Sequence, residues 1–247
     1  MKTDAPALEV DVRVERARGR DFTLDAKFTA EPGVTILYGP SGSGKSTTLG
    51  AIAGLLTPSG GRIALGSDVW FDADKRISLP AERRGIAFVF QSLALFPHMT
   101  ALGNVEYGLP RSMPRAERQS RAHEMLGRMR VAHLAARRPS TFSGGEGQRV
   151  ALARAFAPAP RLVLLDEPFS AMDRDLRRDF VADVRGYVAE ASIPLIHVTH
   201  HRNEARALGD RVILIQAGRI QAIGSVEELL PPSADKMDDS LPLRTHR

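Results

Sequence analysis

A glycine-rich loop constrains this chain more than any other segment. Residues 39–46 match the phosphate-binding pattern G-x-x-x-x-G-K-[ST] without a gap; they are Gly39, Pro40, Ser41, Gly42, Ser43, Gly44, Lys45 and Ser46. The apolar run 34–38 predicts a buried strand, and residues 45–55 predict a helix. Glycines let backbone N–H groups turn inward around phosphate oxygens, and the helix presents its positive N-terminal end to the same anion. An ordinary Gly/Ser turn is the competing interpretation, which the complete match in this context disfavours.

Composition limits the class of protein. The 247 residues, 43% of them hydrophobic, allow one large α/β domain with or without a subdomain. The chain has no cysteine, which excludes disulfides and thiolate metal sites. No apolar signal core and no run near the roughly 18 apolar residues of a membrane span is visible, so we expect a cytosolic protein that reaches a membrane through a partner. The net charge of +5 comes without a nucleic-acid module signature, so we expect no nucleic-acid partner.

Polar side chains follow several predicted strands at their carboxyl ends, where open α/β sheets place ligand contacts. The apolar run 86–90 predicts a central strand that ends at Gln91. The Gln91 amide could join a Mg²⁺ shell, hold a water or simply close the strand. Residues 194–199 predict another buried strand, followed by His200 and His201. His200 could donate to a γ-phosphate oxygen or hydrogen-bond to backbone.

A further predicted strand, residues 161–165, ends in Asp166 and Glu167. We predict that Asp166 holds Mg²⁺, directly or through water, and that Glu167 polarises an attacking water. A solvated strand end is the competing interpretation. Lys45 can reach the β- and γ-phosphates as a point charge, and the Ser46 hydroxyl can ligand Mg²⁺. Together these residues predict a phosphoryl-transfer site.

Helical periodicity dominates residues 92–158, which we interpret as a helical subdomain inserted in the sheet domain. Apolar residues recur there at three- and four-residue steps; they are Ala122, Met125, Leu126 and Met129. Ser143 suits an N-cap, with free N–H groups at Gly144 and Gly145, before a helix that runs to about Phe156. This segment is either a second anion-binding helix terminus or a simple capped helix start.

The remaining segments predict ordinary elements. Residues 7–32 alternate apolar and polar and predict antiparallel strands. Phe22 in this stretch is either a core residue or stacks on a nucleotide base. The others are, in chain order, short strands at 62–65 and 69–71, a polar surface loop at 72–84, an amphipathic helix at 173–190, a hairpin at 211–223 and a loose tail from Pro231 onward.

A set of motifs, taken in chain order, resembles the ATP-binding subunit of ABC transporters. The set comprises the phosphate loop, Gln91, the Ser-Gly-Gly stretch, the strand-end Asp-Glu pair, Asp173 and His200. The resemblance covers about residues 8–230, and the Ser-Gly-Gly stretch followed by residues 148–155 is specific to that family. It implies an α/β fold: a P-loop NTPase (RecA-like) core with an N-terminal antiparallel β subdomain and an inserted α-helical subdomain. Residues 1–230 would form the ATP-binding domain and residues 231–247 a loose tail.

The resemblance also implies a role for each motif residue. ATP and Mg²⁺ would be bound by the loop from Gly39 to Thr47. Gln91 would sense the γ-phosphate and touch a transmembrane partner. Ser143, Gly144 and Gly145 would close over ATP held by a second copy, so that hydrolysis depends on dimer closure. The implied catalytic residues are Glu167, His200, Gln91 and Lys45, the metal ligands are Ser46, Gln91 and Asp166, and residues 170–173 are the D-loop.

Four positions depart from the family pattern. Phe142 and Glu146 stand where Leu and Gln are usual around the glycines. His201 stands where Asp usually follows the switch histidine, and Met172 replaces a common Leu in the D-loop. A carboxylate is favourable in the first helical turn, although the charge of Glu146 would weaken attraction to ATP. None of the four changes removes a catalytic group.

The cargo is less constrained. Residues 79–108 resemble bacterial importer ATPases, and the loop between Trp70 and Arg83 is similar to the molybdate branch. Sulfate, ferric-iron, thiamine and polyamine importers share much of this pattern, and a soluble ABC ATPase acting on nucleic acid is a further alternative. The resemblance implies an ATP hydrolase that forms a homodimer at the cytoplasmic face of the inner membrane, with permease subunits and, indirectly, a solute-binding protein. The chain stops at Arg247, too early for the C-terminal regulatory domain common in such importers, so we expect no regulation through one.

Overall fold

The computed structural model describes residues 5–15, 22–168 and 174–232, with the backbone alone for residues 174–176. Within these ranges the strands form one eleven-stranded sheet. The strands are β1 (Leu8–Glu15), β2 (Thr23–Ala30), β3 (Gly33–Tyr38), β4 (Gly60–Leu65), β5 (Asp68–Asp72), β6 (Ile77–Ser78), β7 (Ile86–Val89), β8 (Leu162–Asp166), β9 (Pro194–Thr199), β10 (Arg211–Gln216) and β11 (Arg219–Ser225).

Helices connect many of these strands. They are α1 (Lys45–Ala53), α2 (Ala101–Tyr107), α3 (Arg115–Arg128), α4 (Gly144–Phe156), α5 (Arg174–Ala191), α6 (Arg202–Leu208) and α7 (Val226–Leu229). Short 3₁₀ turns cover Ala81–Arg83, Ala132–Leu134 and Pro139–Thr141. None of the helices in the described ranges is both long and apolar enough to cross a membrane. The proposed D-loop, with Met172 and Asp173, and the tail beyond residue 232 lie outside the described residues.

The sheet has an antiparallel part and a parallel part, in the order β6-β5-β4-β1-β2-β11-β10-β3-β9-β8-β7. β1 pairs antiparallel with both β2 and β4, which confirms the antiparallel strands predicted over residues 7–32. β10 and β11 form the predicted hairpin. Strands β10, β3, β9, β8 and β7 are parallel neighbours. This mixed sheet with its helices agrees with the predicted α/β fold class.

The parallel part positions the functional residues. The strands that precede the phosphate loop, His200, Asp166–Glu167 and Gln91 are β3, β9, β8 and β7, and they are consecutive in the sheet. Because parallel strands all point the same way, their carboxyl ends meet at one edge of the sheet. The predicted strand–loop–helix around residues 39–46 is confirmed, since β3 ends at Tyr38 and α1 begins at Lys45.

The strand predicted at residues 86–90 is present over Ile86–Val89, but the prediction that it is a central strand is wrong. β7 ends at Val89 and is the last strand of the described sheet, paired on one side with β8. The strand is apolar because Ala87 and Val89 are buried in the core cluster that also contains the buried face of α4. An edge strand that is covered by a helix and a central strand that is paired on both sides show the same apolar pattern. The sequence therefore cannot distinguish the two. Phe90, the end of the predicted run, is 39% exposed.

The surface loop predicted at residues 72–84 needs correction in two places. Ile77–Ser78 forms a short strand that pairs with β5, and a 3₁₀ turn follows. Arg84 is buried rather than exposed, and its guanidinium donates to the carbonyl oxygens of Leu79, Ala51 and Ile52 at 2.7–2.9 Å. The arginine thus caps the carboxyl end of α1, where free carbonyl groups favour a cation.

The segment between β7 and β8 is helical, as its periodicity predicts. Ala122, Met125 and Leu126 of α3 are buried, as is Met129 directly after it. They belong to the same core cluster as β8 and β9 residues such as Val163 and Leu195. A second cluster on the other side contains α1 and the antiparallel strands. The division of the chain into an ATP-binding domain with an inserted helical subdomain stays a prediction.

Candidate functional site

The phosphate loop depends on three glycines for different reasons. Gly42 and Gly44 have φ angles of 78° and 106°, a left-handed conformation that costs little without a Cβ. Gly39 is needed for space, because a Cβ there would lie 2.1 Å from the carbonyl oxygen of Ile215. α1 begins directly after Gly44 with no side-chain cap. Its first backbone N–H groups are therefore open to an anion.

Two side chains of the loop fit a phosphate ligand. The buried Ser43 hydroxyl has no hydrogen-bond partner among the described residues. Lys45 donates from Nζ to the carbonyl oxygens of Gly39, at 2.8 Å, and Pro40, at 2.9 Å. Burial lowers the pKa of Lys45, an effect opposed by the charges of Glu167 and Asp166. An anion in the loop would satisfy both the hydroxyl and the ammonium.

Ser46 and Asp166 converge from the loop and from the end of β8. The Ser46 hydroxyl donates to Oδ1 of Asp166 over 3.3 Å. Burial raises the pKa of Asp166, although the Ser46 hydrogen bond opposes this. A hydroxyl and a partly buried carboxylate are ligands that Mg²⁺ accepts, so this pair fits the predicted metal position. Gln91 is exposed beyond the edge strand β7, and no contact shown for the described residues joins it to Ser46 or Asp166.

Glu167 and His200 form a direct pair. Nδ1 of His200 lies 2.8 Å from Oε1 of Glu167. Glu167 has a φ of 48°, which is uncommon for a residue with a side chain, and its N–H donates to Val198 of β9 at 3.2 Å. The structure therefore brings a carboxylate and an imidazole together beside Asp166, as a general-base site requires.

A buried cluster around Glu204 was not predicted. The Glu204 carboxylate is 1% exposed and accepts a 2.7 Å hydrogen bond from the Thr199 hydroxyl, which itself accepts from the N–H of His201 at 3.0 Å. His197 lies beside it, with Nε2 3.8 Å from the carboxylate. Burial alone would raise the pKa of Glu204, but interactions with His197 and Thr199 hold that pKa below its usual value. Glu204 lies in the short helix α6, and no pattern in the sequence indicated that its carboxylate would be buried.

Ser143 is the N-cap of α4, as predicted. Its hydroxyl accepts from the N–H of Glu146, and the Glu146 carboxylate accepts from the N–H of Ser143, which makes a capping box. The pKa of Glu146 is lowered by the hydrogen bond from the Ser143 backbone. The departure at Glu146 thus stabilises the helix start. Among the described residues no contact joins Ser143 to the phosphate loop of its own chain.

Two side chains of helix α4 also make contacts that sequence reasoning missed. Gln148 donates from Nε2 to the carbonyl oxygen of Pro168 over 2.5 Å. Arg154 donates to the carbonyl oxygens of Leu93 and Ala94, at 2.8 and 2.7 Å, just after Gln91. Both are polar side chains in a helix that is mostly buried, and this pattern does not identify their partners.

Phe22 and His201, which the sequence analysis also singled out, contact other side chains of the chain. Phe22 is partly buried against the core, and a Cβ on Gly44 would lie 3.0 Å from its ring. This position supports core packing, and stacking on a base stays a prediction. The ring of His201 packs against that of His200, with centroids 4.0 Å apart.

Comparison with known proteins agrees with this architecture. The sequence profile of the ABC transporter family matches residues 24–170. The molybdenum import ATP-binding protein ModC of Brucella melitensis is 42% identical over 216 residues, which are 87% of this chain and 60% of that protein. This chain therefore spans 60% of the length of that relative. The molybdate/tungstate import ATP-binding protein WtpC of Archaeoglobus fulgidus is 42% identical over 234 residues, with 94% of both chains covered.

Solved structures give the same result. A bacterial ABC transporter cassette solved as a dimer superposes with a TM-score of 0.75 at 30% identity, covering 89% of this chain and 98% of that one. The cbiO1 protein of Clostridium perfringens, part of the ABC transporter complex cbiONQ, gives a TM-score of 0.76 at 26% identity, covering 90% and 89%. The phosphate loop, the strand-end residues and the capped Ser-Gly-Gly helix lie in a fold shared with these cassettes, and the chain belongs to the ABC transporter family.

Proposed function

We propose that this chain binds and hydrolyses ATP to power a membrane importer for an oxyanion such as molybdate. The Glu167–His200 pair beside Ser46 and Asp166 carries the hydrolytic part of the proposal. The cargo is supported by the relatives in Brucella melitensis and Archaeoglobus fulgidus, which are described as import proteins for molybdenum and for molybdate or tungstate. Sulfate, ferric iron, thiamine and polyamines are the alternative cargoes.

The loop from Gly39 to Thr47 binds the phosphates of ATP. Backbone N–H groups at the start of α1 face the anion, and Lys45 exchanges its two carbonyl partners for phosphate oxygens. Ser46, Asp166 and Gln91 are the residues that would hold Mg²⁺. When bound, the metal neutralises charge on the phosphate oxygens.

Glu167 acts as the general base. Its carboxylate holds the attacking water and accepts a proton from it, while His200 fixes the orientation of that carboxylate. Gln91, at the neighbouring strand end, senses the γ-phosphate and contacts the transmembrane partner.

Two copies form the working unit. Ser143, Gly144 and Gly145 of one copy close over the nucleotide of the other, which fits the absence of contact between Ser143 and its own phosphate loop in the described residues. A related cassette was solved as a dimer. The dimer works at the cytoplasmic face of the membrane with permease subunits and, through them, a solute-binding protein.

The hydrolytic assignment is tested by ATP turnover of the purified chain and its Glu167→Gln variant. We expect Glu167→Gln to lose about 100-fold or more in turnover while still binding ATP, because the amide cannot accept the proton. Glu124→Gln, on the exposed side of α3, is the matched control and should keep wild-type turnover. If Glu167→Gln turned over ATP like the control, Glu167 would not be the base.

The importer assignment is tested by co-purification from the native membrane, followed by mass spectrometry. A permease and a solute-binding protein are the expected partners, and binding of molybdate or sulfate to that second protein names the cargo. Recovery with ribosomes or DNA, and with no membrane protein, would overturn the importer part while leaving the hydrolytic part intact.

A further inference from the structure

The backbone at Glu167 is held in an unfavourable conformation. Its φ of 48° is left-handed, although Glu carries a Cβ and the next residue is Pro168. A residue before proline normally adopts extended backbone. Such a conformation is unfavourable and persists only where the surrounding structure determines it. The contacts that hold this turn therefore decide where the Glu167 carboxylate points.

Two hydrogen bonds hold the turn. The N–H of Glu167 donates to the carbonyl oxygen of Val198 in the neighbouring strand β9 at 3.2 Å. Gln148 of α4 donates from Nε2 to the carbonyl oxygen of Pro168 at 2.5 Å. The first hydrogen bond is made within the sheet, whereas the second reaches the turn from helix α4.

The surroundings of Gln148 indicate that its side chain serves the contact with Pro168. The residue is 4% exposed, in a helix whose neighbouring positions are buried. Its Oε1 atom is buried and has no hydrogen-bond partner among the described residues. Burying an unpaired amide oxygen is unfavourable, so an apolar residue would suit the site better if packing were its only function.

We propose that Gln148 is a positioning residue for ATP hydrolysis, an inference that rests on the proposed function. By holding the Pro168 carbonyl it keeps Glu167 in the left-handed conformation that directs its carboxylate to His200. The same helix begins with the Ser143 cap, so a displacement of α4 during dimer closure reaches the general base through one hydrogen bond. Gln148 thereby makes the base of each copy sensitive to the position of its own Ser-Gly-Gly helix.

The test compares Gln148→Met with Tyr187→Phe in the full chain. Methionine keeps the length of glutamine but cannot donate to Pro168. Tyr187→Phe is the matched control, because it also removes one buried side-chain donor to a backbone carbonyl, that of Phe156 at the other end of α4. Gln148→Asn is the second variant; it keeps the amide but is one methylene too short, and it covers the case in which Gln148→Met does not fold.

Steady-state kinetics give the first readout. We expect both Gln148 variants to lower kcat about tenfold or more, with KM for ATP within about twofold of wild type, because the base is misplaced while the phosphate loop is untouched. Tyr187→Phe should keep the wild-type kcat. Equal effects of the Gln148 and Tyr187 variants on kcat would overturn the proposal, since both would then act through general stability.

Histidine-selective NMR gives a readout that does not need turnover. The His200 ring signal is assigned with His200→Ala, and Glu167→Gln shows how it moves when the carboxylate is lost. We expect the Gln148 variants to move the His200 signal in that direction and Tyr187→Phe to leave it in place. An unmoved signal would contradict the inference. If the wild-type chain hydrolysed no ATP, the proposed function would fail, and the His200 signal alone would still decide whether Gln148 sets the turn.

Discussion

Nδ1 of His200 lies 2.8 Å from Oε1 of Glu167, although 33 positions separate the two residues in the sequence. They follow the neighbouring parallel strands β9 and β8, so the sheet brings them together. A glutamate side chain has several rotatable bonds, and a fixed partner restricts them. The imidazole therefore orients the carboxylate that we propose as general base.

Replacing His200 by alanine should lower ATP turnover about 100-fold, because the Glu167 carboxylate loses the partner that orients it. Affinity for nucleotide should change by less than about twofold, since the phosphate loop is intact. Turnover and binding of a fluorescent ATP analogue measure the two effects. His123→Ala, exposed on α3, is the control. Wild-type turnover in His200→Ala would show that the pair is structural only.

Lys45→Ala should weaken ATP binding by about tenfold or more, because it removes the one loop ammonium that can pair with phosphate oxygens. In the structure this ammonium donates to the carbonyl oxygens of Gly39 and Pro40, which lose that donor in the alanine variant. Calorimetric titration with ATP measures the loss. Lys27→Ala, an exposed lysine paired with Asp11, should bind ATP like wild type. Equal affinity in the two variants would remove Lys45 from the binding site.

Gly39→Ala and Gly186→Ala should have opposite effects on stability. A Cβ on Gly39 would lie 2.1 Å from the Ile215 carbonyl oxygen, so the loop must shift and the free energy of unfolding must fall. A Cβ on Gly186 in α5 meets nothing within 4 Å, and alanine there should stabilise the chain by about 0.5–1 kcal/mol. Urea denaturation measures both. A neutral Gly39→Ala would show that the loop can move without cost.

The stability of the chain should depend on Glu204 at acid pH. Hydrogen bonds hold its folded-state pKa below the usual 4.5, so the folded state binds this proton less readily than the unfolded state. The stabilisation is therefore present above about pH 4.5 and is lost as the pH falls through the lower folded-state pKa. Groups that act on the carboxylate are His197 and Thr199 of β9, Arg177 of α5 and His201.

Thermal unfolding between about pH 6 and about pH 3.5 tests this dependence. Tm of the wild type should fall more steeply toward acid than Tm of Glu204→Gln, which cannot titrate at this position. Glu124→Gln, exposed on α3, should follow the wild-type slope. Parallel slopes for wild type and Glu204→Gln would show that the carboxylate is not held in its charged form.

Features that depend on consecutive residues could be predicted. The loop from Gly39 to Ser46 and the N-cap at Ser143 are local, because their backbone conformation and first hydrogen bonds involve residues a few positions apart. Buried strands such as β8 and β9 show in the sequence because a strand that is covered on both faces is mostly apolar. These elements were enough to predict the α/β fold class and the residues proposed for the site.

The order of the strands in the sheet could not be predicted from these local features. The apolar run 86–90 predicts a central strand, yet β7 ends the described sheet, since burial under a helix leaves the same apolar run as burial between strands. Arg84 read as exposed in a polar loop, yet its guanidinium caps α1 more than 30 residues earlier. Composition around a charged residue does not reveal a partner that lies far away in the chain.

The sequence by itself determined which residues can do phosphate chemistry, because glycine, lysine, hydroxyl and carboxylate groups have that capacity wherever they are placed. Tertiary structure alone decided which of them meet. The contacts of Glu167 with His200 and of Gln148 with Pro168 join residues 33 and 20 positions apart. Such pairs depend on strand order and on how α4 packs against the sheet, and no local pattern in the chain carries that information.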